Sequence, residues 1–187
     1  MQIERLAIPE VLLLRPQKFG DHRGFFSETF RQSLFDDLGI GITFVQDNQS
    51  FSAEQGTVRG LHFQTRDFAQ AKLVRVLHGA ILDVAVDIRH GSPTFGRHVA
   101  VRIDAEQWNQ IFIPVGFAHG FCTLEPDTEV FYKVSNYYSA EHDRGLLWSD
   151  PALGIDWPVP AGEAVLSDKD RGHPTLDRLP AWFTHRS

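Results

Sequence analysis

Apolar or alternating runs recur along the chain at residues 9–14, 43–46, 72–77, 80–88, 98–103, 109–113 and 129–134. Their lengths suit strands, and turn formers separate them: His90-Gly91-Ser92-Pro93, Pro114-Val115-Gly116 and Glu125-Pro126-Asp127. The alternation is clearest in 81–88, where Leu82, Val84, Val86 and Ile88 make one apolar face and Ile81, Asp83, Ala85 and Asp87 make the other. The spacing of Leu34, Phe35 and Leu38 predicts one helix over 31–38, ending before Gly39, and a second short helix is expected near the C-terminus. Many short strands at even spacing predict an all-β fold, an antiparallel sandwich or barrel of the jelly-roll kind with a few short helices. No repeat, linker or low-complexity segment interrupts the chain, so 1–187 reads as a single domain. Residues 1–15 read as an N-terminal strand arm. Its Val11-Leu12-Leu13-Leu14 is too apolar to stand in solvent, and pairing with a partner's sheet edge in a homodimer is the expected way to bury it.

Composition narrows the function. Hydrophobic residues make up 42% of the chain and charged residues 22%, which is enough for a core under a solvated surface. The net charge of −6 argues against a nucleic-acid partner and leaves an anionic ligand to a local basic pocket. One cysteine, Cys122, excludes an internal disulfide and a thiolate metal cluster. Met1-Gln2-Ile3-Glu4-Arg5 lacks the charged-then-apolar order of a signal peptide, and no apolar run reaches membrane-spanning length. A cytoplasmic protein with no membrane partner is the expectation.

Polar residues inside the apolar runs carry the chemistry. In Arg59-Gly60-Leu61-His62-Phe63-Gln64 a histidine and an arginine interrupt a strand-like stretch; His62 there is either a satisfied core residue or a catalyst. Lys72 opens the next run, a common place for a solvated edge charge. Asp83 either points outward into solvent or lines a barrel and orients Lys72 or His62. Tyr132 alternates with Val130 and Val134, so its ring is expected to face the interior with a hydroxyl that needs a partner. His119, after the Pro-Gly turn, fits a structural role as well as a chemical one.

Metal and nucleotide-hydrolysing chemistry find no support in these motifs. A His-x-His pair followed by Glu and His holds metal in many small β-barrels, but this chain has His62-Phe63-Gln64 at that place. Gly-x-Ser-x-Gly, the Walker loop and Gly-x-Gly-x-x-Gly after a strand are all missing. Activity is therefore expected to need no cofactor and to be indifferent to chelators, added metal or nicotinamide. A His, Lys, Tyr and Asp toolkit without a cofactor suits proton abstraction next to a carbonyl, which needs a base, a cation on the enolate oxygen and an acid to return the proton.

Seven longer motifs point the same way. They are Phe19-Gly20-Asp21-His22-Arg23-Gly24-Phe25-Phe26-Ser27-Glu28, Val45-Gln46-Asp47-Asn48-Gln49-Ser50, Val58-Arg59-Gly60-Leu61-His62-Phe63-Gln64 and Ala69-Gln70-Ala71-Lys72-Leu73-Val74-Arg75, followed by Phe117-Ala118-His119-Gly120-Phe121, Tyr132-Lys133-Val134-Ser135-Asn136-Tyr137-Tyr138 and Leu166-Ser167-Asp168-Lys169-Asp170. From about residue 3 to residue 177 the chain resembles the dTDP-4-dehydrorhamnose 3,5-epimerases. The resemblance implies a cupin-type double-stranded β-helix, or jelly roll, and a homodimer. It also implies conversion of dTDP-4-dehydro-6-deoxy-D-glucose to dTDP-4-dehydro-L-rhamnose by inversion at C3 and C5.

By position in the motifs, the resemblance makes His62 the base, Asp170 its dyad partner, Tyr132 the acid on the opposite face and Lys72 the cation at the C4 oxygen. It places nucleotide contacts at Phe19, Arg23, Glu28, Gln46, Asp47, Asn48 and Arg59, and substrate or diphosphate contacts at His119, Ser167 and Lys169. Tyr138 resembles the residue that stacks on thymine. Asp143 stands where the family often has Glu, so the carboxylate is kept with a shorter reach, and His78 reads as structural. Two other readings stand beside the double epimerase. One is an enzyme that inverts only C3 or C5, or isomerises the same 4-keto sugar; the presence of both His62 and Tyr132 favours double inversion over it. The other is a non-catalytic sugar-nucleotide module, which is expected to lack a base or an acid that this chain has.

Overall fold

The computed structural model describes residues 1–185. In chain order its strands are β1 (Gln2–Arg5), β2 (Leu12–Arg15), β3 (Phe19–Asp21), β4 (Gly24–Phe26), β5 (Gln46–Ser52), β6 (Val58–Gln64), β7 (Lys72–His78), β8 (Ala80–Asp87), β9 (Arg89–His90), β10 (His98–Asp104), β11 (Gln110–Ile113), β12 (Phe117–Thr123), β13 (Thr128–Val134), β14 (Asp143–Gly145) and β15 (Phe183–Thr184). Helix α1 (Gln32–Asp37) follows β4, and the single turn α2 (Asp168–Arg171) lies near the C-terminus. No helix among the described residues is long and apolar enough to cross a membrane.

Two antiparallel sheets form the body. One has six strands in the order β1-β2-β11-β7-β13-β5, the other five in the order β10-β8-β12-β6-β14. They face each other across a core that includes Leu13, Val74, Ile111 and Val130 from the first and Ile81, Ala85, Ile103 and Phe121 from the second. The outer face of each sheet is covered as well. Leu12, Leu14, Leu73 and Phe112 lie under Phe35 of α1 and the segment after it. Leu61, Phe63, Val84 and Val86 lie under Leu146, Leu153 and Leu179 of the C-terminal segment. Strands covered on both faces lose their period-two pattern, which is why β2 reads as an apolar run and every residue of β12 is buried.

Two sequence expectations change here, and one open alternative is decided. Residues 1–15 do not need a partner's sheet for burial: β2 pairs with β11 of its own chain, and Val11 to Leu14 are all buried. The strand expected at 43–46 begins at Gln46 and runs to Ser52, a polar stretch with no hydrophobic signal. In β8 the face carrying Val84 and Val86 packs outward, so the face with Ile81, Asp83 and Ala85 is the one between the sheets.

A bulge sets the geometry of β6. His119 pairs with His62 but Phe121 pairs with Arg59, so three steps on β6 face two on β12. The extra residue turns Arg59 and His62 to the same side in spite of their odd spacing, and both line one cavity. Glycine is required on both strands. Gly60 has φ +142°, and a Cβ on Gly120 would meet Arg59 O at 2.7 Å and Gly60 Cα at 2.9 Å. Gly120→Ala is expected to cost about 1–3 kcal/mol as an overpacked site. A lowered urea midpoint checks this; an unchanged midpoint would show that the two backbones separate freely.

Candidate active site

Each wall of the cleft comes from a different element. Arg59 and His62 project from β6, Lys72 from the start of β7, His119 from β12 and Tyr132 from β13, while Ser167, Lys169 and Asp170 come from the α2 turn. All eight line one cavity of about 440 Å³. A second cavity of about 310 Å³ shares His62, Lys72, Tyr132 and Lys169 with it and adds Gln46, Asn48, Tyr138 and Asp143. These four shared side chains therefore stand at the waist of one two-lobed cleft.

His62 is held from behind. His62 Nε2 lies 2.5 Å from Asp170 Oδ1, and Asp170 is 3% exposed. Burial alone would raise the carboxyl pKa. The nearby His173 ring, the hydrogen bond with His62 and the Ser167 hydroxyl outweigh it and hold Asp170 well below the usual carboxylate range. The residue is thus an anion that accepts from Nε2–H, and the lone pair of His62 falls on Nδ1. Ser167, expected as a substrate contact, caps α2: its Oγ accepts from Asp170 N at 3.2 Å and so aims the carboxylate.

Lys72 is buried, not a solvated edge charge. Its Nζ donates to the His62 carbonyl at 3.3 Å. Burial pulls its pKa down to about 8, against the raising effect of Asp83 and Asp143. Asp83 does face the interior, and its partner is neither Lys72 nor His62: its Oδ2 lies 2.9 Å from His119 Nε2. Desolvation lowers the pKa of His119, so this ring sits neutral at the cavity wall as a hydrogen-bonding group. Burial raises the Tyr132 pKa, which keeps the phenol protonated at neutral pH.

In the second lobe Gln46 Nε2 donates to Asn48 Oδ1 at 2.9 Å, and the Tyr138 backbone N–H donates to Gln46 Oε1 at 3.1 Å. Asp143 accepts from Tyr138 Oη at 3.2 Å and from Lys169, so the shorter carboxylate ties this lobe together. Tyr138 is exposed, which leaves its ring able to stack on a planar group.

Four expected contacts lie elsewhere. Asp47 alternates to the outer face of β5, opposite Gln46 and Asn48, and pairs with Lys133 at 2.9 Å. Phe19, Arg23 and Glu28 belong to the β3–β4 hairpin region and line neither lobe. Arg23 is bound to Asp21 at 2.5 Å in the open. Sequence reasoning also missed Ser50 and Gln70, which line the cleft, and His173, which faces Asp170. Nothing in their local pattern marks them; His173 is three residues beyond Asp170 and separated from it by the end of a helical turn.

A sequence profile of the dTDP-4-dehydrorhamnose 3,5-epimerase family matches residues 5–178. A dTDP-4-dehydrorhamnose 3,5-epimerase of Sinorhizobium fredii is 54% identical over 99% of this chain and 94% of its own. The crystal structure of a dTDP-6-deoxy-D-glucose-3,5-epimerase from Legionella pneumophila, in complex with dTDP-4-keto-L-rhamnose, is 43% identical with TM-score 0.94, covering 100% of this chain and 99% of that one. A 3′-monoepimerase from Streptomyces bikiniensis, in complex with dTDP-quinovose, is 35% identical with TM-score 0.88, covering 97% of this chain and 92% of that one. On the match of its sequence and the likeness of its fold, the chain belongs to the dTDP-4-dehydrorhamnose 3,5-epimerase family.

Proposed function

We propose that this chain converts dTDP-4-dehydro-6-deoxy-D-glucose to dTDP-4-dehydro-L-rhamnose by deprotonation and reprotonation at C3 and C5. One observation carries the reading: His62 and Tyr132 stand on opposite sheets and line the same cleft, with Lys72 beside them at the waist. A sugar ring held there has a base on one face and an acid on the other. His62 Nδ1 takes the proton next to the C4 ketone, and Asp170 stabilises the imidazolium that results. The Lys72 ammonium meets the oxygen on which negative charge develops, a contact stronger in the enolate than in the ketone. Tyr132 returns a proton from the far side. Tyr138, Gln46 and Asn48 suit the nucleotide, while Arg59 and Lys169 supply cations for the diphosphate. Incubation of the full chain with this substrate alone is expected to give the L-configured product; unchanged substrate after long incubation would contradict the proposal. Inversion at C3 only is the second reading, supported by the similarity to the 3′-monoepimerase.

The role of Lys72 sets the alkaline limb. Its ammonium is lost as pH rises through about 8, so turnover is expected to fall there. Lys72→Met should lose about 10²–10³-fold in kcat, the cost of one oxyanion donor. A kcat profile that stays flat to pH 10 would remove Lys72 from the enolate.

The same proposal makes the protein a cytoplasmic homodimer, now on a different basis. Phe19, Phe25 and Phe26 of the β3–β4 hairpin are 56%, 53% and 71% exposed, far more apolar surface than a lone hairpin tolerates in water. Phe19, Arg23 and Glu28 touch no part of their own cleft, so they serve a nucleotide only from a second copy. Light scattering is expected to give a dimer at micromolar concentration, and Phe26→Asp to shift it to monomer. A strictly monomeric full-length chain would contradict this.

A further inference from the structure

One buried group at the site is left out of the mechanism. The His173 side chain is 10% exposed, and its Nε2 is buried without a hydrogen-bond partner among the described residues. It fits because β14 carries no side chain at position 145: a Cβ on Gly145 would come within 2.2 Å of that nitrogen. Nε2 lies 3.5 Å from Asp170 Oδ1, the same oxygen that His62 Nε2 approaches at 2.5 Å. The two imidazoles meet nearly edge to face, centroids 5.6 Å apart. One donor atom from each of His62, Asp170 and His173 thus falls within 4.8 Å of the others.

We propose that His62, Asp170 and His173 form a binding site for a late first-row divalent cation of the Zn²⁺ type, and that occupancy switches the base off. Two imidazole nitrogens and one carboxylate are borderline donors that suit Zn²⁺ and Co²⁺ and disfavour Mg²⁺ and Ca²⁺. Three protein ligands leave a coordination position open, and here it faces the cleft, because the His62 side chain is 30% exposed and lines both lobes. The orphaned His173 nitrogen gains the partner it lacks, and the Asp170 anion neutralises part of the ion's charge.

The loss of activity follows from proton placement. In the free enzyme His62 carries its proton on Nε2, toward Asp170, and its lone pair on Nδ1. A metal on Nε2 takes the place of that proton, which moves through solvent to the Nδ1 lone pair, so no net proton is lost. An imidazole with Nδ1 protonated and Nε2 coordinated has no lone pair to accept a proton from carbon. The cation is an inhibitor and not a cofactor. The indifference to added metal expected from the sequence gives way to inhibition by excess Zn²⁺, while indifference to chelators stays as expected. Two of the three donors, Asp170 and His173, come from a turn far along the chain and not from a His-x-His strand, so no local pattern marks the site.

The binding claim stands on geometry; the inhibition claim rests on the reading of His62 as the base. Titration of the full chain with Co²⁺, after treatment with chelator, is expected to give visible d–d absorption saturating at one ion per chain and displaced by Zn²⁺. In the imidazole NMR spectrum of the unaltered protein, Zn²⁺ should move the His62 and His173 signals and leave the other histidines in place. His173→Gln should weaken metal binding at least ~10-fold, the low end of what even an outer-shell partner costs. Turnover should fall along the same Zn²⁺ curve and return with EDTA. Absence of cobalt bands, or shifts confined to other histidines, overturns the site. Binding at these residues with turnover intact overturns the inhibition and, separately, the assignment of His62 as base.

Discussion

Replacing His62 with alanine is expected to leave dTDP affinity near normal and to cut turnover by about 10²–10⁴-fold. The two effects separate because of where the residue stands. His62 is at the waist of the cleft, whereas Gln46, Asn48 and Tyr138 form the lobe that suits the nucleotide. Removing the imidazole takes away the lone pair on Nδ1 and strands Asp170 as a buried anion with His173 as its remaining imidazole neighbour. Among the described residues the neighbouring candidates are engaged: His119 is tied to Asp83, and in the proposed mechanism Lys72 serves as the cation. Calorimetry with dTDP and a turnover assay read the two halves. Wild-type deuterium incorporation at both C3 and C5 in His62→Ala would falsify the assignment.

Tyr132→Phe is expected to divide the reaction differently. The ring still packs against the inter-sheet core, so the fold and the His62 side of the cleft should persist. Enolate formation needs only His62 and Lys72, and substrate C–H should go on exchanging with D₂O. In the proposed mechanism inversion needs a proton from the other sheet, and the phenol is the group to provide it. Burial raises the pKa of this phenol, so it is a protonated acid across the neutral range. Without it, reprotonation falls back to the original face and inverted product should drop by about 10²–10⁴-fold, the usual weight of a general acid. Inverted product at the wild-type rate in Tyr132→Phe would mean that the phenol is not the acid.

How much of this was legible in the sequence depended on what each residue packs against. β8 and β13 showed as strands because they combine apolar runs with clear alternation, yet the alternation in β8 did not say which face lies between the sheets. Both faces are buried, and the C-terminal cover on Val84 and Val86 is not visible in the strand's own pattern. β5 was all but invisible because its inward residues are Gln46, Asn48 and Ser50, which line a polar cleft instead of a core. His62, Lys72 and Tyr132 stood out as polar groups inside apolar runs, and the structure brings all three together with the distant Asp170. Their convergence is a tertiary fact that the motifs only implied. Asp47 was misplaced because a motif names positions without saying which face of an edge strand each one takes. Phe19, Arg23 and Glu28 lie away from both lobes of the cleft, because the β3–β4 hairpin that carries them stands apart from it. His173 was missed because its significance lies in the Gly145 gap that admits it, and a missing side chain leaves no signal beside a histidine in sequence.

The central claim is that one cleft inverts two carbons through enolates with a base and an acid on opposite faces. The most direct measurement is incubation of the wild-type chain with dTDP-4-dehydro-6-deoxy-D-glucose in D₂O, with deuterium located by NMR. The account predicts deuterium at both C3 and C5 in a product of L configuration. Label at one carbon only after long incubation, or label at both with the D configuration retained, would contradict it.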